Sequence, residues 1–346
     1  NIFFFIKNWD NYRNFHNISL IYIIISLIIF QKMKTYFLTG AMGFVGSHWA
    51  KNLLKSGNKV IGIDTKLTSP ELLEYDNFKF FKESILNNSS RIDELIKNSD
   101  TVLHLASIAE PDRYLQDPKT VIDISAIASI EIIEKCIKHK KKIFFTSTSE
   151  IYGKNAKIPF LENDDRHLGS TTIKRWCYSS SKALVEHYLE ACAFQEKLEF
   201  RIVRLFNIYG PNLKNRVVSR FIEKALSDKN LEINDQGKQT RCFTFIDDAI
   251  NAFNLIEESK KCKNQIFNIG TTAETSITEL AKIVIKLSNS KSKIVFKSYE
   301  EQFGESYEDI QRRVPSIDKL KKFTGWSPNI SLEEGLKKMI EYSRKL

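Results

Sequence analysis

The chain is poor in the residues that build metal centres and covalent frameworks. Its 346 residues include five cysteines and six histidines. Cys136, Cys177, Cys192, Cys242 and Cys262 make no CxxC pair and no even set, so a disulfide scaffold is excluded. The thiols are expected to be reduced and structural. The histidines make no HExxH and no paired spacing, so no metal site is expected. No internal repeat and no low-complexity linker is present. The apolar run from Ile18 to Phe30 has 13 residues, interrupted by Ser19 and Ser26. A membrane span needs about 20. Basic charge is in excess, at a net +10, but dispersed. The densest cluster, Lys138 to Lys142, closes a helical pattern, where cations suit the helix dipole. No nucleic-acid partner is expected; the excess reads as a general attraction to anionic ligands.

What remains is ordinary for a globular protein, 42% apolar and 27% charged, and long enough for one large α/β unit or two domains. The first 32 residues differ. They are rich in Ile, Phe, Asn and Tyr, and Met33-Lys34 stands immediately before the first strand pattern. The preferred expectation is that Met33 is the true start, that residues 1–32 lie outside the fold, and that the protein is cytoplasmic. The alternatives are a membrane anchor at 18–30 and a cleaved signal peptide.

The most informative stretch runs from Lys34 to Asp64. An apolar strand, Thr35 to Thr39, leads into Gly40, Gly43 and Gly46, then an amphipathic helix over about 44–56, then a second strand ending at Asp64. Gly40 permits a tight turn, Gly43 lets backbone approach a phosphate, and Gly46 lets the helix pack close to the strand. The first-turn amides, at Phe44 and Val45, face a pyrophosphate at the positive end of the helix dipole. A carboxylate at Asp64 accepts from both ribose hydroxyls and repels a 2′-phosphate, so the pattern predicts NAD rather than NADP.

Strands then alternate with helices: strands at 78–81, 101–105, 142–146 and 200–206, and helices at 92–97, 117–138 and 179–195. This rhythm predicts a parallel, doubly wound sheet covered on both faces. The strand ending at Leu105 and Ala106 has small residues where backbone passes close to a cofactor. Beyond about 207 the elements shorten and mix: a helix at 217–227, a strand at 241–245, and helices at 247–258, with Asp247 as its N-cap, and 276–288. Ser331 to Glu334 forms a capping box that opens a last helix. The expected division is a cofactor-binding domain, 33–206, and a smaller mixed α/β substrate domain, 207–346, with some segments returning to the first sheet.

Two stretches carry chemistry. Thr146-Ser147-Thr148-Ser149-Glu150 follows an apolar strand, which places its side chains at the carboxyl edge of the sheet, where such folds bind ligands. Tyr178 and Lys182 stand four apart on one helical face. An ammonium beside a phenol favours phenolate, so Lys182 is expected to lower the pKa of Tyr178. The phenol can then take a proton from a sugar hydroxyl as the adjoining carbon gives up hydride.

These motifs, together with Arg204-Leu205-Phe206-Asn207-Ile208-Tyr209-Gly210-Pro211, resemble the extended short-chain dehydrogenase/reductase superfamily, whose members act on nucleotide sugars. The resemblance covers 34 to about 342. It implies a Rossmann-like fold, NAD as cofactor, a homodimer formed through the helices at 117–138 and 179–195, and a UDP-sugar as substrate. Within the superfamily, Thr148-Ser149-Glu150 resembles the Thr-Ser-Glu of UDP-glucuronate decarboxylases. Tyr307 to Ile317 resembles the segment in which those enzymes carry a catalytic arginine, matched by Arg313. Gly237 to Phe243 resembles the segment whose arginine contacts the UDP part, matched by Arg241. By this resemblance Thr148, Glu150, Tyr178, Lys182 and Arg313 are catalytic, and Ser149, Asn207, Arg241 and Tyr307 hold the substrate. A 4-epimerase or a 4,6-dehydratase is the alternative.

Overall fold

The protein is described by a computed structural model over residues 33–297 and 310–345. The expectations for residues 1–32 and for Tyr307 fall outside that range. The described elements belong to one unit, Thr35–Leu346.

Its first half alternates as expected: β1 (Thr35–Thr39), α1 (Phe44–Lys55), β2 (Lys59–Asp64), β3 (Phe78–Lys82), α2 (Ser90–Lys97), β4 (Thr101–His104), α3 (Pro111–Gln116), α4 (Pro118–Ile122), α5 (Ala128–Lys138), β5 (Lys142–Thr148), α6 (Trp176–Glu196) and β6 (Phe200–Leu205). The helical pattern at 117–138 passes from α4 to α5 through a π turn, Asp123–Ile127.

After β6 come β7 (Ile208–Tyr209), α7 (Val217–Leu226), β8 (Leu231–Asn234), β9 (Thr240–Cys242), β10 (Thr244–Phe245), α8 (Ile246–Glu258), β11 (Gln265–Ile269), β12 (Glu274–Ser276), α9 (Ile277–Ser288), β13 (Ile294–Lys297), α10 (Asp318–Thr324) and α11 (Leu332–Ser343). The single strand expected at 241–245 is two short ones, β9 and β10. Asp247 does not cap α8: Phe245 is the N-cap residue, and Asp247 lies in the first turn. It is the next residue, buried Asp248, that takes a structural role, accepting from the amides of Asn329 and Ile330. The capping box at Ser331 and Glu334 is present.

Seven strands form one parallel sheet in the order β11-β6-β5-β4-β1-β2-β3. Strand order reverses at β1, which pairs with β2 on one side and β4 on the other; Thr39 lies opposite both Ile63 and His104. Ligands bind such sheets beyond the carboxyl ends of the strands at this switch point.

The unbroken apolar character of the central strands follows from burial on both faces. Phe37 and Leu38 enter opposite cores, as do Phe145 and Phe144, and Ile202 and Val203. A side-chain period of two thus spends every residue on one core or the other. Each such side chain contributes about 1.5–3 kcal/mol. On one face Trp49 of α1 packs on Phe144 at 4.7 Å and on Phe253 of α8 at 4.9 Å.

Candidate active site

The glycine loop is held by backbone that leaves no room for side chains. Gly40 has φ +71, and a Cβ there would lie 2.9 Å from the Ala106 nitrogen. One on Gly46 would lie 2.0 Å from the Gly40 carbonyl oxygen. Gly43 meets only that same oxygen, at 3.3 Å, and is the N-cap residue of α1, with no side chain bonded to the first turn. The first-turn amides, at half-buried Phe44 and Val45, are therefore not claimed by a cap and offer themselves to an anion. Asp64 is oriented by the amides of Met42, 3.1 Å from Oδ2, and Lys66, 3.3 Å from Oδ1. Across the cleft the amides of Leu105 and Ala106 donate to Thr39 Oγ1 at 3.2 and 3.1 Å. A glycine cradle, an uncapped helix start and a fixed carboxylate together fit a dinucleotide.

Tyr178 sits in the first turn of α6, buried, with its ring stacked on Tyr114 at 4.9 Å. The hydroxyls of Ser107 and Thr148 stand beside its phenol and favour the phenolate. Lys182 is buried one turn further on, over the Phe145 ring, and donates to the Thr146 carbonyl at 2.8 Å. The expected lowering of the phenol by this lysine is not what the structure gives. Burial pushes Tyr178 up to about 12, while Arg216 and the two hydroxyls pull it down and Glu150 adds to the rise. The reason is geometric: the ammonium is engaged by a strand carbonyl rather than by the phenol. Burial without a close anion brings Lys182 itself down to about 7, against a raising influence from Glu186.

Thr148 ends β5 and its hydroxyl accepts the Glu150 amide at 3.2 Å, turning the chain so that Glu150 faces the site. Arg313 Nη2 reaches Glu150 Oε1 at 2.8 Å, and Arg175 Nη2 reaches Oε2 at 3.2 Å. Burial raises the carboxyl, but Arg175, Arg313 and Arg241 outweigh it and hold Glu150 at about 2. It is a fixed anion at neutral pH. The segment carrying Arg313 is clamped in place: Phe160 donates its amide to Val314, and Ser316 donates to Phe160, both at 2.8 Å. Arg241, buried on β9, donates to the Thr240 carbonyl at 2.8 Å.

Thr148, Glu150, Tyr178 and Arg313 thus meet at the carboxyl edge of the sheet, with Arg241 acting on the same carboxylate. Ser149 lies buried in that turn. Asn207 follows β6 with φ 37, and its Oδ1 is buried with no partner among the described residues. The same holds for Ser147 Oγ and Arg313 Nε. Sequence reasoning missed Arg175. It precedes Tyr178 by three positions in a polar loop, and no spacing there marks a cation as one that folds onto Glu150.

A doubly wound sheet with this loop, this carboxylate and this tyrosine–lysine pair defines a dinucleotide-dependent enzyme of the short-chain dehydrogenase kind. Residues 36–270 match the NAD dependent epimerase/dehydratase family, and the chain belongs to it. NAD is its cofactor. The chain is 37% identical over 320 residues to the UDP-N-acetyl-alpha-D-glucosaminuronate decarboxylase of Bacillus cytotoxicus, across 90% of this chain and 98% of that one. It is 32% identical over 320 residues to UDP-glucuronic acid decarboxylase 1 of Xenopus tropicalis, across 90% and 72%. Among solved structures it is similar to UDP-glucuronic acid 4-epimerase from Bacillus cereus in complex with UDP-glucuronic acid and NAD. There the TM-score is 0.81 and the identity 27%, across 90% of this chain and 99% of that one.

Proposed function

We propose that the protein is an NAD-dependent decarboxylase of UDP-glucuronate, releasing UDP-4-keto-pentose or UDP-xylose. One observation carries this reading: Arg313 is folded onto Glu150 beside Tyr178, which gathers cationic groups where a sugar carboxylate would lie. The two decarboxylase relatives support it.

When bound, NAD supplies the hydride acceptor for C4. Tyr178, oriented by Thr148 and Ser107, takes the C4 hydroxyl proton in its phenolate form, which the positive charge of a bound NAD would favour over the raised phenol of the empty site. The resulting ketone is β to the C6 carboxylate. The C5–C6 bond can then break with its electron pair flowing into a C4–C5 enolate, and CO₂ leaves. Arg313, Arg175 and Arg241 stabilise the carboxylate before this step and the enolate after it. Glu150, held ionised, is no proton donor; it fixes the guanidinium groups. Guanidinium does not give up its proton in proteins, so C5 is reprotonated by a water held in this cluster. Lys182 holds the nicotinamide ribose, and Ser149, Asn207 and Tyr307 complete the sugar-nucleotide site. In this reading residues 33–206 hold the cofactor and 207–346 the UDP-sugar.

Incubation of the protein with NAD and UDP-glucuronate is expected to release CO₂ and to give a nucleotide product lighter by CO₂ alone for UDP-xylose, or by CO₂ and two hydrogens, with NADH formed, for UDP-4-keto-pentose. A product that keeps the carboxyl with C4 inverted would make the enzyme an epimerase. The 2-acetamido hexuronate, run in parallel, tests the choice of sugar. The active form is proposed to be a cytoplasmic homodimer through α5 and α6. Leu184 and Phe194 on α6, and Ile127 beside α5, leave large apolar surface exposed. Among the described residues no helix is long and apolar enough to cross a membrane. Light scattering that returns the monomer mass at micromolar concentration would remove the dimer.

A further inference from the structure

His104 ends β4 fully buried, and neither the glycine loop nor the sugar chemistry accounts for it. Its Nδ1 lies 2.7 Å from Thr39 Oγ1 and its Nε2 2.9 Å from Ser129 Oγ. Counting hydrogens assigns the direction at the two ring nitrogens. Thr39 Oγ1 already accepts from the amide of Ala106 and from that of Leu105, which it shares with the Thr39 carbonyl at 3.3 Å, and amides can only donate. Its single hydrogen must therefore go to His104 Nδ1. A neutral ring then carries its proton on Nε2 and donates to Ser129. The Ser129 hydroxyl in turn donates to the Ser125 carbonyl at 3.1 Å. Ser125, inside the π turn, meets the Ser107 hydroxyl at 2.9 Å, and Ser107 stands beside the Tyr178 phenol.

We propose that His104 is a positioning residue that, locked as the Nε2–H tautomer, ties the backbone wall of the cofactor cleft to the serine pair that orients Tyr178. Its two ring nitrogens serve two different ends. Through Nδ1 and Thr39 it holds the peptide at Leu105 and Ala106. Through Nε2 and Ser129 it pins the π turn, which extends the helix by one residue and so brings Ser125 to Ser107. Burial holds the ring pKa down at about 3, with the charge of Lys182 acting in the same direction, so the ring stays neutral throughout the working range.

The ring nitrogens can be read directly by nitrogen NMR on the intact protein. The expected signature is an unprotonated Nδ1 and a protonated Nε2 that do not titrate between about pH 5.5 and 8.5. The signal is identified by its loss in His104→Asn or its shift in Thr39→Val. Two substitutions separate the two ends. His104→Asn keeps a group opposite Thr39 alone; it should bind NAD as the parent does but turn over roughly tenfold more slowly. His104→Gln keeps a group opposite Ser129 alone; it should lose NAD affinity roughly tenfold, the effect of one buried hydrogen bond. An Nδ1–H tautomer, a titrating ring, or two variants that lose the same quantity alike would overturn the proposal. Only the turnover arm rests on the decarboxylase reading. The ring signature and NAD affinity stand apart from it, so inactivity of the parent on UDP-glucuronate would fail that reading and leave this one to be decided.

Discussion

Two buried arginines, Arg204 and Arg313, each meet a glutamate near the carboxyl edge of the sheet, and they differ in how completely they are used. Arg204 has every nitrogen engaged. Nε and Nη2 hold Glu186 at 3.1 and 2.6 Å, and Nη1 donates to the Tyr152 hydroxyl and the Glu162 carbonyl at 2.8 and 2.7 Å. Tyr152 passes the network on to Asn268, which donates to Phe160 and Ser316. Arg313 gives Nη2 to Glu150 and keeps a buried Nε with no partner among the described residues. A closed network is what a fold needs; an open one is what a ligand completes. A buried pair adds little net stability but is costly to break from one side. The same chemistry therefore reads as architecture at Arg204 and as a site at Arg313.

That contrast can be broken at several points. The largest effect is expected from Tyr178→Phe, which removes the proposed proton acceptor: CO₂ release from UDP-glucuronate should fall by about 10²- to 10⁴-fold. An unchanged rate would take the phenol out of the chemistry. Arg204→Met should leave Glu186 buried and unpaired, costing about 3–5 kcal/mol and lowering the melting temperature by roughly 10 °C. Arg313→Met should do the reverse. CO₂ release should drop by about 10²- to 10³-fold while the melting temperature moves little, because Glu150 keeps Arg175. If Arg313→Met melts as early as Arg204→Met, the distinction between the two is lost.

The smallest effect concerns the third buried cation. Lys182 gives up its proton at about 7 when folded but near its ordinary value, 10.5, when unfolded. Between these values the unfolded chain binds more protons, so stability rises with pH; below about 7 both forms are charged and the term is flat. Relative to Lys182→Met, the parent without NAD should gain on the order of 3 kcal/mol between pH 7 and 9.5, measured by denaturant titration. A flat difference would place the ammonium in water.

What could be read from the chain was local. Gly40, Gly43, Gly46 and Asp64 speak through short spacings and backbone geometry, and the both-faces burial of β1, β4 and β5 speaks through unbroken apolar runs. The resemblance of the Arg313 segment to a known one supplied a contact that spacing could not, since Glu150 and Arg313 are far apart in sequence. What was not legible depends on three-dimensional competition. The helical pairing of Tyr178 with Lys182 is real, yet the lysine turns to the Thr146 carbonyl and leaves the phenol raised. Arg175 and the serines around His104 carry no pattern at all, because their partners come from other elements. The π turn hides inside a run of apolar residues that also suits an uninterrupted α-helix.

The last strand of the main sheet has a consequence for how the chain is made. β11 pairs with β6 along its whole length, from Gln265 opposite Arg201 to Ile269 opposite Leu205. A nascent chain that has just delivered Leu205 to the ribosome exit has an open β6 edge, ready to recruit another molecule, and must wait for β11 to seal it. At about 5–20 residues per second the ribosome leaves that edge uncovered for several seconds. A translation pause placed between the codons for Leu205 and Gln265 would lengthen the exposure, and aggregation during synthesis should grow with it.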